Sequence, residues 1–146
     1  MGNIVEIGIC RNRGDQIFNI KEAELVMGSG LLKDRHFKKN NNAKSQITLI
    51  EIENINYFNK LVNKDIPAIN YRRNIITKNI RLNTLVGKEF FIGNVKIKAN
   101  DLCKPCKYLQ DKLKQNNFIK ELLYKGGIRC EILSNGKIYI GDIIKY

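Results

Sequence analysis

Proline is scarce in this chain of 146 residues, which contains only Pro67 and Pro105, and neither lies in a Pro- or Ser-rich segment. Segments of that kind are typical of flexible linkers between domains. The chain also lacks internal repeats, and its length suits one hydrophobic core. We therefore expect a single domain over residues 1–146.

Long apolar runs and targeting signals are absent as well. No stretch of about eighteen apolar residues occurs, so no membrane span or membrane partner is expected. The start, Met1-Gly2-Asn3-Ile4, lacks the basic-then-apolar order of a signal peptide. We expect a soluble, cytoplasmic protein. Its four cysteines should then be reduced thiols rather than a disulfide framework.

Acidic residues are few, since 14 of them face 26 basic residues and leave a formal net charge of +12. This excess favours an anionic partner such as a phosphate or a nucleotide. A general compositional bias is the alternative, because the sequence is rich in Lys, Asn and Ile throughout. No nucleic-acid-binding motif accompanies the charge, and we do not expect a nucleic-acid partner.

The apolar pattern predicts many short strands and a few helices. The predicted strands cover residues 3–10, 16–19, 24–27, 46–50, 73–77, 89–92, 95–99, 128–133 and 137–145. A helix is expected over residues 51–63, and a helical region runs from Pro105 to a stop at Gly126-Gly127. This order indicates a mainly β (α+β) fold with a curled or barrel-like sheet.

The most informative local pattern is Cys103-Lys104-Pro105-Cys106. Two-residue spacing suits either joint metal ligation or thiol exchange. No second pair of Cys or His supports zinc, and the position between β-rich segments does not match a thioredoxin-like enzyme. Lys104, Lys107 and the start of a helix all favour a thiolate at Cys106. Two small buried apolar side chains are the alternative interpretation.

Cationic clusters form a second set of candidates. Arg35 follows a glycine-containing turn, and Arg73 and Asn74 stand at the head of a predicted strand. Arginine can hold phosphate with two parallel hydrogen bonds, and asparagine offers a donor and an acceptor to a heterocycle. Arg129 is a similar candidate. Taken singly, Arg73, Asn74 and Arg129 fit a solvated strand end better than a binding site, and the turn before Arg35 is a weak signal.

Taken in order, the motifs of the chain resemble those of the MOSC domain family, which is named after the carboxy-terminal domain of molybdenum cofactor sulfurases. The motifs are Asp34-Arg35-His36, Ile47-Thr48-Leu49-Ile50-Glu51-Ile52-Glu53, Arg73-Asn74, Leu85-Val86-Gly87-Lys88-Glu89-Phe90, Cys103-Lys104-Pro105-Cys106, Gly126-Gly127-Ile128-Arg129, Gly136-Lys137-Ile138 and Gly141-Asp142. The resemblance covers almost the whole chain. It implies a MOSC-type β-barrel with a few peripheral helices.

The resemblance also implies a function centred on Cys106. That residue would be a thiolate that carries a persulfide or ligates molybdenum, with Cys103 as its helper. Arg35, Arg73 and Asn74, together with Arg129, would line an anionic site for molybdopterin, the molybdenum cofactor.

Three functions follow as expectations. The first is a cofactor-binding or sulfur-carrying module, which would need a separate desulfurase as sulfur donor because the chain is too short for a pyridoxal-phosphate domain. The second is a molybdenum-dependent reductase of N-hydroxylated compounds, which would need an electron-transfer protein. The third is a non-catalytic basic binding module. In one departure from the family pattern, Lys33 stands where many relatives have glycine, and we expect its side chain to narrow or recharge the pocket.

Overall fold

The structure is a computed structural model that describes residues 1–146, with eleven strands, three α-helices and three short 3-10 helices. The strands are β1 (Asn3–Ile9), β2 (Phe18–Ile20), β3 (Glu22–Val26), β4 (Gly30–Leu31), β5 (Ile47–Glu51), β6 (Ile75–Lys78), β7 (Glu89–Ile92), β8 (Val95–Leu102), β9 (Ile128–Ile132), β10 (Gly136–Tyr139) and β11 (Ile144–Lys145). The α-helices are α1 (Ile52–Val62), α2 (Lys107–Leu113) and α3 (Phe118–Glu121). The 3-10 helices are Ala43–Ser45, Ala68–Tyr71 and Leu82–Leu85.

Eight strands form one large mixed sheet in the order β11-β7-β8-β9-β5-β6-β1-β2, and β10, β3 and β4 form a small second sheet. Only β5 and β6 run parallel, and α1 lies in the crossover between them. The large sheet curls back on itself, because Ile143 forms an isolated bridge to Asn3 and the Ile144 amide donates to the Gly2 carbonyl at 2.9 Å. The expected strand-rich α+β fold with a curled, barrel-like sheet is confirmed.

The main core fills the space between the two sheets. Strands such as β8 alternate buried and partly exposed residues, so that Val95, Ile97 and Ala99 point inward. The small sheet contributes Leu25 and Ile138, which are fully buried in the same cluster. Burial of these aliphatic side chains is the dominant force that holds the small sheet on the large one.

A second apolar cluster attaches the helices to the outside of the large sheet. Phe58 of α1 meets Phe118 of α3 edge to face, with ring centroids 5.4 Å apart, and meets Tyr71 at 6.4 Å. Tyr71 is completely buried and donates its hydroxyl to Asn59 Oδ1 at 2.6 Å. This burial raises the pKa of Tyr71, which therefore remains a neutral hydrogen-bond donor.

Three sequence expectations need correction. The helical region after Pro105 is not continuous, because Lys114 takes a left-handed conformation (φ 56°) that ends α2, and α3 begins again at Phe118. The strand expected over residues 137–145 is divided at Gly141 (φ 92°) into β10 and β11. The short strand β4 was not expected, since Gly30 belongs to a segment that reads as a turn.

Candidate functional site

The candidate site is a cavity of about 280 Å3 at one edge of the large sheet, where several loops meet. Its wall comes from the end of β1, the turn over residues 34–36, the start of β5, the segment before β6, the start of α2, and β9. These segments are far apart in sequence. The curled sheet and its crossover bring them together.

Five cationic side chains lie on this wall: Arg35, Lys44, Arg72, Arg73 and Arg129. Two of them are partly neutralised. Arg129 on β9 faces its cross-strand partner Asp101 on β8 and forms a bidentate ion pair with it at 2.8 and 3.2 Å, and Lys44 reaches the same carboxylate at 3.4 Å. The cavity keeps a strong positive charge after this pairing, which favours an anionic ligand.

Arg73 is anchored by its Nε atom, which donates to the Gly126 carbonyl at 2.9 Å. Its terminal nitrogens make no hydrogen bond within the protein, and the Arg35 side chain has no hydrogen bond or ion pair. Both guanidinium groups therefore present unused donors to the cavity. Bidentate binding of a phosphate-like oxyanion is the interaction for which such donors are best suited.

Arg72 is held in a different way. Its backbone is left-handed (φ 60°), its Nη1 donates to the Asp15 carbonyl at 2.9 Å, and its Nη2 lies 3.5 Å from the Cys10 sulfur. Its guanidinium also lies 6.0 Å from the centre of the Tyr108 ring. Because a left-handed arginine is strained, these contacts are needed to maintain it, and they connect the loop after β1 to α2.

Cys106 is the exposed thiol of the cavity wall and caps the amino end of α2. Its sulfur accepts a hydrogen bond from the Leu109 amide at 3.4 Å, an interaction that stabilises negative charge on sulfur. Lys104 is exposed beside it, while Lys107 is engaged by Asp111 at 3.1 Å. An accessible thiol with cationic neighbours is the arrangement expected of a reactive cysteine.

The other three cysteines differ in their surroundings. Cys10 is buried, lines the cavity, and directs its thiol at the Asn12 carbonyl, 2.9 Å away. Cys130 is completely buried in the core, and this burial, with Cys103 and Asp101 nearby, raises the pKa of its thiol. Cys103 is half-buried and lies outside the cavity wall, so its role as a helper stays a prediction.

The turn before Arg35 is organised by Asp34, whose side chain is only 2% exposed. Its two oxygens accept hydrogen bonds from the Cys10 amide at 2.9 Å and from the His36 amide and ring at 3.3 Å. Burial alone would raise the pKa of Asp34, but these hydrogen bonds outweigh it and hold the pKa below its usual value. The carboxylate thus ties Arg35 and His36 to the end of β1.

Asn74 also lies on the wall, but most of its hydrogen-bonding capacity is used within the protein. Its Oδ1 accepts from the Thr48 amide at 3.1 Å and from the Thr48 hydroxyl at 3.3 Å, and its Nδ2 donates to the Gly8 carbonyl at 3.2 Å. One N–H remains for a ligand. The cofactor-binding role of Asn74 stays a prediction.

The structure therefore gathers Cys106, Arg35, Arg73, Asn74 and Arg129 around one cavity and leaves Cys103 outside it. Lys33 is exposed and does not line the cavity, so the expectation that its side chain narrows the pocket is wrong, whereas the expectation that it recharges the pocket stays a prediction. Sequence reasoning did not assign the wall residues Lys44, Thr48 and Tyr108 to the site. Their only signal is proximity in the chain to predicted strand or helix starts.

Metal coordination by the chain alone has no support in this geometry. No group of three or more His, Cys, Asp or Glu side chains is placed to hold a metal ion. None of the helices has the length and apolar character needed to cross a bilayer.

Fold and site together define a class of protein: a strand-rich α+β domain with an exposed thiol in a cationic cavity. The family model described as the MOSC domain matches residues 33–145. The chain belongs to the MOSC domain family. No sequence among the curated proteins matches it.

Solved structures agree on the fold. The YUAD protein from Bacillus subtilis is similar with a TM-score of 0.81 and 18% identity, over 100% of this chain and 97% of that one. YiiM from Geobacillus stearothermophilus gives a TM-score of 0.81 at 15% identity, with coverage of 99% and 74%. YiiM from Escherichia coli gives 0.77 at 16%, with coverage of 99% and 69%.

Proposed function

We propose that this MOSC domain carries sulfur as a persulfide on Cys106. The observation that supports the proposal is the position of an accessible thiol on the same cavity wall as two guanidinium groups that form no ion pair and keep free N–H donors. A persulfide is anionic, and cationic donors around it stabilise that charge. The family to which the chain belongs is associated with the molybdenum cofactor, whose sulfur chemistry is consistent with such a role.

Four side chains of the cavity wall have distinct roles in this mechanism. Cys106 is the nucleophile, and its thiolate is stabilised by the Leu109 amide. Arg73 and Arg35 hold the anionic end of the sulfur donor or acceptor. Asp34 is a positioning residue, because its hydrogen bonds hold the turn that carries Arg35.

Binding of the molybdenum cofactor is the second candidate function. The anionic end of molybdopterin matches the free donors of Arg35 and Arg73, and Cys106 offers the soft thiolate that molybdenum accepts. When bound, the cofactor would supply a redox-active metal and so make possible the reductase activity expected for the chain with an electron-transfer partner. The chain's own residues would bind and orient it.

The test is intact-mass and metal analysis of protein purified from its own host, in the wild type and in the Cys106→Ser and Cys103→Ser variants. We expect wild-type protein to carry an additional sulfur atom that dithiothreitol and cyanide remove. The addition should be absent from Cys106→Ser and present in Cys103→Ser. Molybdenum that follows Cys106 in the same samples would support cofactor binding.

Sulfur that persists in Cys106→Ser would contradict the proposal. So would wild-type protein that stays free of sulfur after incubation with inorganic polysulfide. The Arg81→Gln variant is a matched control, because Arg81 is exposed and lies outside the cavity. It should behave as the wild type in both measurements.

A further inference from the structure

Three of the cavity cations form no ion pair, and of these Arg72 already donates from both terminal nitrogens, to the Asp15 carbonyl and the Cys10 sulfur. Lys44 and Arg129 share the carboxylate of Asp101, whereas Arg35 has no partner in the protein and Arg73 uses only its Nε atom. Two guanidinium groups with free N–H donors match a doubly charged oxyanion. A neutral or cationic sulfur donor would gain nothing from this arrangement.

The free end of Arg73 is connected to the Cys106 segment by close backbone packing. Arg73 donates to the carbonyl of Gly126, and Gly126 packs directly against the Cys103 carbonyl and the Pro105 ring. A Cβ atom at position 126 would collide with the Cys103 carbonyl. The Arg73 guanidinium and the segment that carries Cys106 are therefore held by the same closely packed backbone. Such an arrangement can orient a bound anion toward a nucleophile.

The size of the cavity restricts the donor. Its volume of about 280 Å3 lies just below the range of roughly 300–1,000 Å3 that is typical of pockets for drug-sized organic ligands. A compact inorganic anion fits inside it completely. Among anions that also carry a transferable sulfur atom, thiosulfate combines small size, a double charge and a three-oxygen sulfonate end suited to guanidinium groups.

We infer that the cavity binds thiosulfate and that Cys106 accepts its terminal sulfur. This inference rests on the proposed function, since it names the sulfur donor. The Cys106 thiolate attacks the terminal sulfur, a new S–S bond forms at the cysteine, and the S–S bond of thiosulfate breaks. The electron pair of that bond leaves with sulfite, so that a thiolate and thiosulfate become a persulfide anion and sulfite without an external oxidant.

In this reaction the cationic side chains of the cavity stabilise the anionic donor and the anionic product. Three negative charges are present before transfer and three afterwards. Arg35 and Arg73 stabilise the charge that develops on sulfite as the S–S bond of thiosulfate breaks. Transfer onward to cyanide would form thiocyanate and restore the thiolate. No separate desulfurase is then needed for loading, in contrast to the expectation from the sequence.

The experiment treats the reduced full-length chain with thiosulfate and follows sulfite release together with intact mass. We expect one sulfur atom per chain and one sulfite per sulfur. The Cys106→Ser variant should give neither. Sulfate should inhibit the loading competitively, because it presents the same oxygens without a transferable sulfur.

The Arg35→Gln and Arg73→Gln variants test the cavity itself. Each should lower the second-order rate of loading from thiosulfate by at least about tenfold, the effect of losing a charge-assisted hydrogen bond. Alkylation of Cys106 by neutral iodoacetamide should change less than about threefold, which shows that the thiol is intact. Alkylation by anionic iodoacetate should fall with the thiosulfate rate. Arg81→Gln again serves as the control.

Two results would overturn the inference. One is loading of Cys106 by inorganic polysulfide but not by thiosulfate, which leaves the proposed sulfur carriage intact. The other is loading from thiosulfate at the wild-type rate in both arginine variants. Failure of both donors to load the wild type would instead count against the proposed function as well.

Discussion

Lys33 adopts a left-handed backbone conformation (φ 72°) at the turn that brings Asp34 and Arg35 to the cavity. Glycine reaches this conformation without steric cost, whereas a side chain with a Cβ atom does not. Lys33 is exposed and makes no contact with the cavity. The turn therefore places a backbone requirement on this position, and the space in the cavity does not depend on the residue that occupies it.

We expect Lys33→Gly to raise the free energy of unfolding by about 1 kcal/mol, because the strained conformation becomes an unstrained one. Urea unfolding is the measurement. Lys39→Gly is the control, since Lys39 is exposed and is not left-handed, and glycine should destabilise the protein there. A loss of stability in Lys33→Gly as large as that in the control would refute the argument.

Asp34 provides a prediction on pH dependence. Its pKa is lowered in the folded protein, so the ionised carboxylate stabilises the fold above its unfolded pKa of about 3.9, and this contribution disappears as the pH falls through the lower folded value. Asp34→Asn should lower the free energy of unfolding at neutral pH by about 2 kcal/mol.

The difference between Asp34→Asn and the wild type should shrink as unfolding is measured at decreasing pH below about 4. Asp65→Asn is the matched control, because Asp65 is exposed and makes no ion pair, and it should change stability by less than about 0.5 kcal/mol. A gap that stays constant down to the lowest pH would assign the effect to packing instead of charge.

At the scale of elements, the Asn74 side chain connects β5, β6 and β1 just before the regular β5–β6 ladder begins. The parallel ladder between β5 and β6 begins at Leu49 and Ile75, one residue after Thr48 and Asn74. Asn74 continues it with side-chain hydrogen bonds to Thr48 and, on the other side, to Gly8 at the end of β1. These bonds fix the edge of the sheet where the cavity opens.

Removal of this side chain in Asn74→Ala should lower the free energy of unfolding by about 2–3 kcal/mol, since it leaves the Thr48 amide and the Gly8 carbonyl without their partners. Thermal and urea unfolding would measure the loss. Asn56→Ala on the exposed surface of α1 is the control and should have little effect. Wild-type stability in Asn74→Ala would show that water replaces these bonds without cost.

The sequence predicted the ends of some helices and strands accurately and the ends of others poorly. The helix over residues 51–63 and the strand over residues 89–92 were predicted almost to the residue, because their apolar periodicity is regular. The region after Pro105 was not, since the left-handed Lys114 that ends α2 carries no glycine signal. Residue propensity does not reveal a helix end that a non-glycine residue forms in the left-handed conformation.

At the scale of the whole molecule, five of the 26 basic side chains surround one small cavity. An anion that binds there stabilises the folded state by mass action. Sulfate at about ten times its dissociation constant should raise the free energy of unfolding by about 1.4 kcal/mol relative to sodium chloride of equal ionic strength.

Arg73→Gln should lose most of this stabilisation, whereas Arg81→Gln should keep it. Thermal unfolding at a series of sulfate concentrations is the measurement. Equal stabilisation of both variants would mean that sulfate acts by general exclusion from the protein surface and not through the cavity.

The sequence by itself determined the class of fold, the family resemblance and the candidate thiol. Apolar periodicity, the glycine turns and the spacing of Cys103 and Cys106 are local patterns, and local patterns can be read along one dimension. Only the tertiary structure decided which cations share a cavity with Cys106 and placed Cys103 outside that cavity. It also showed that the Asn74 side chain forms hydrogen bonds with Thr48 and Gly8. These facts depend on how the curled sheet brings distant segments together, because proximity in space is fixed by strand order and register rather than by sequence separation.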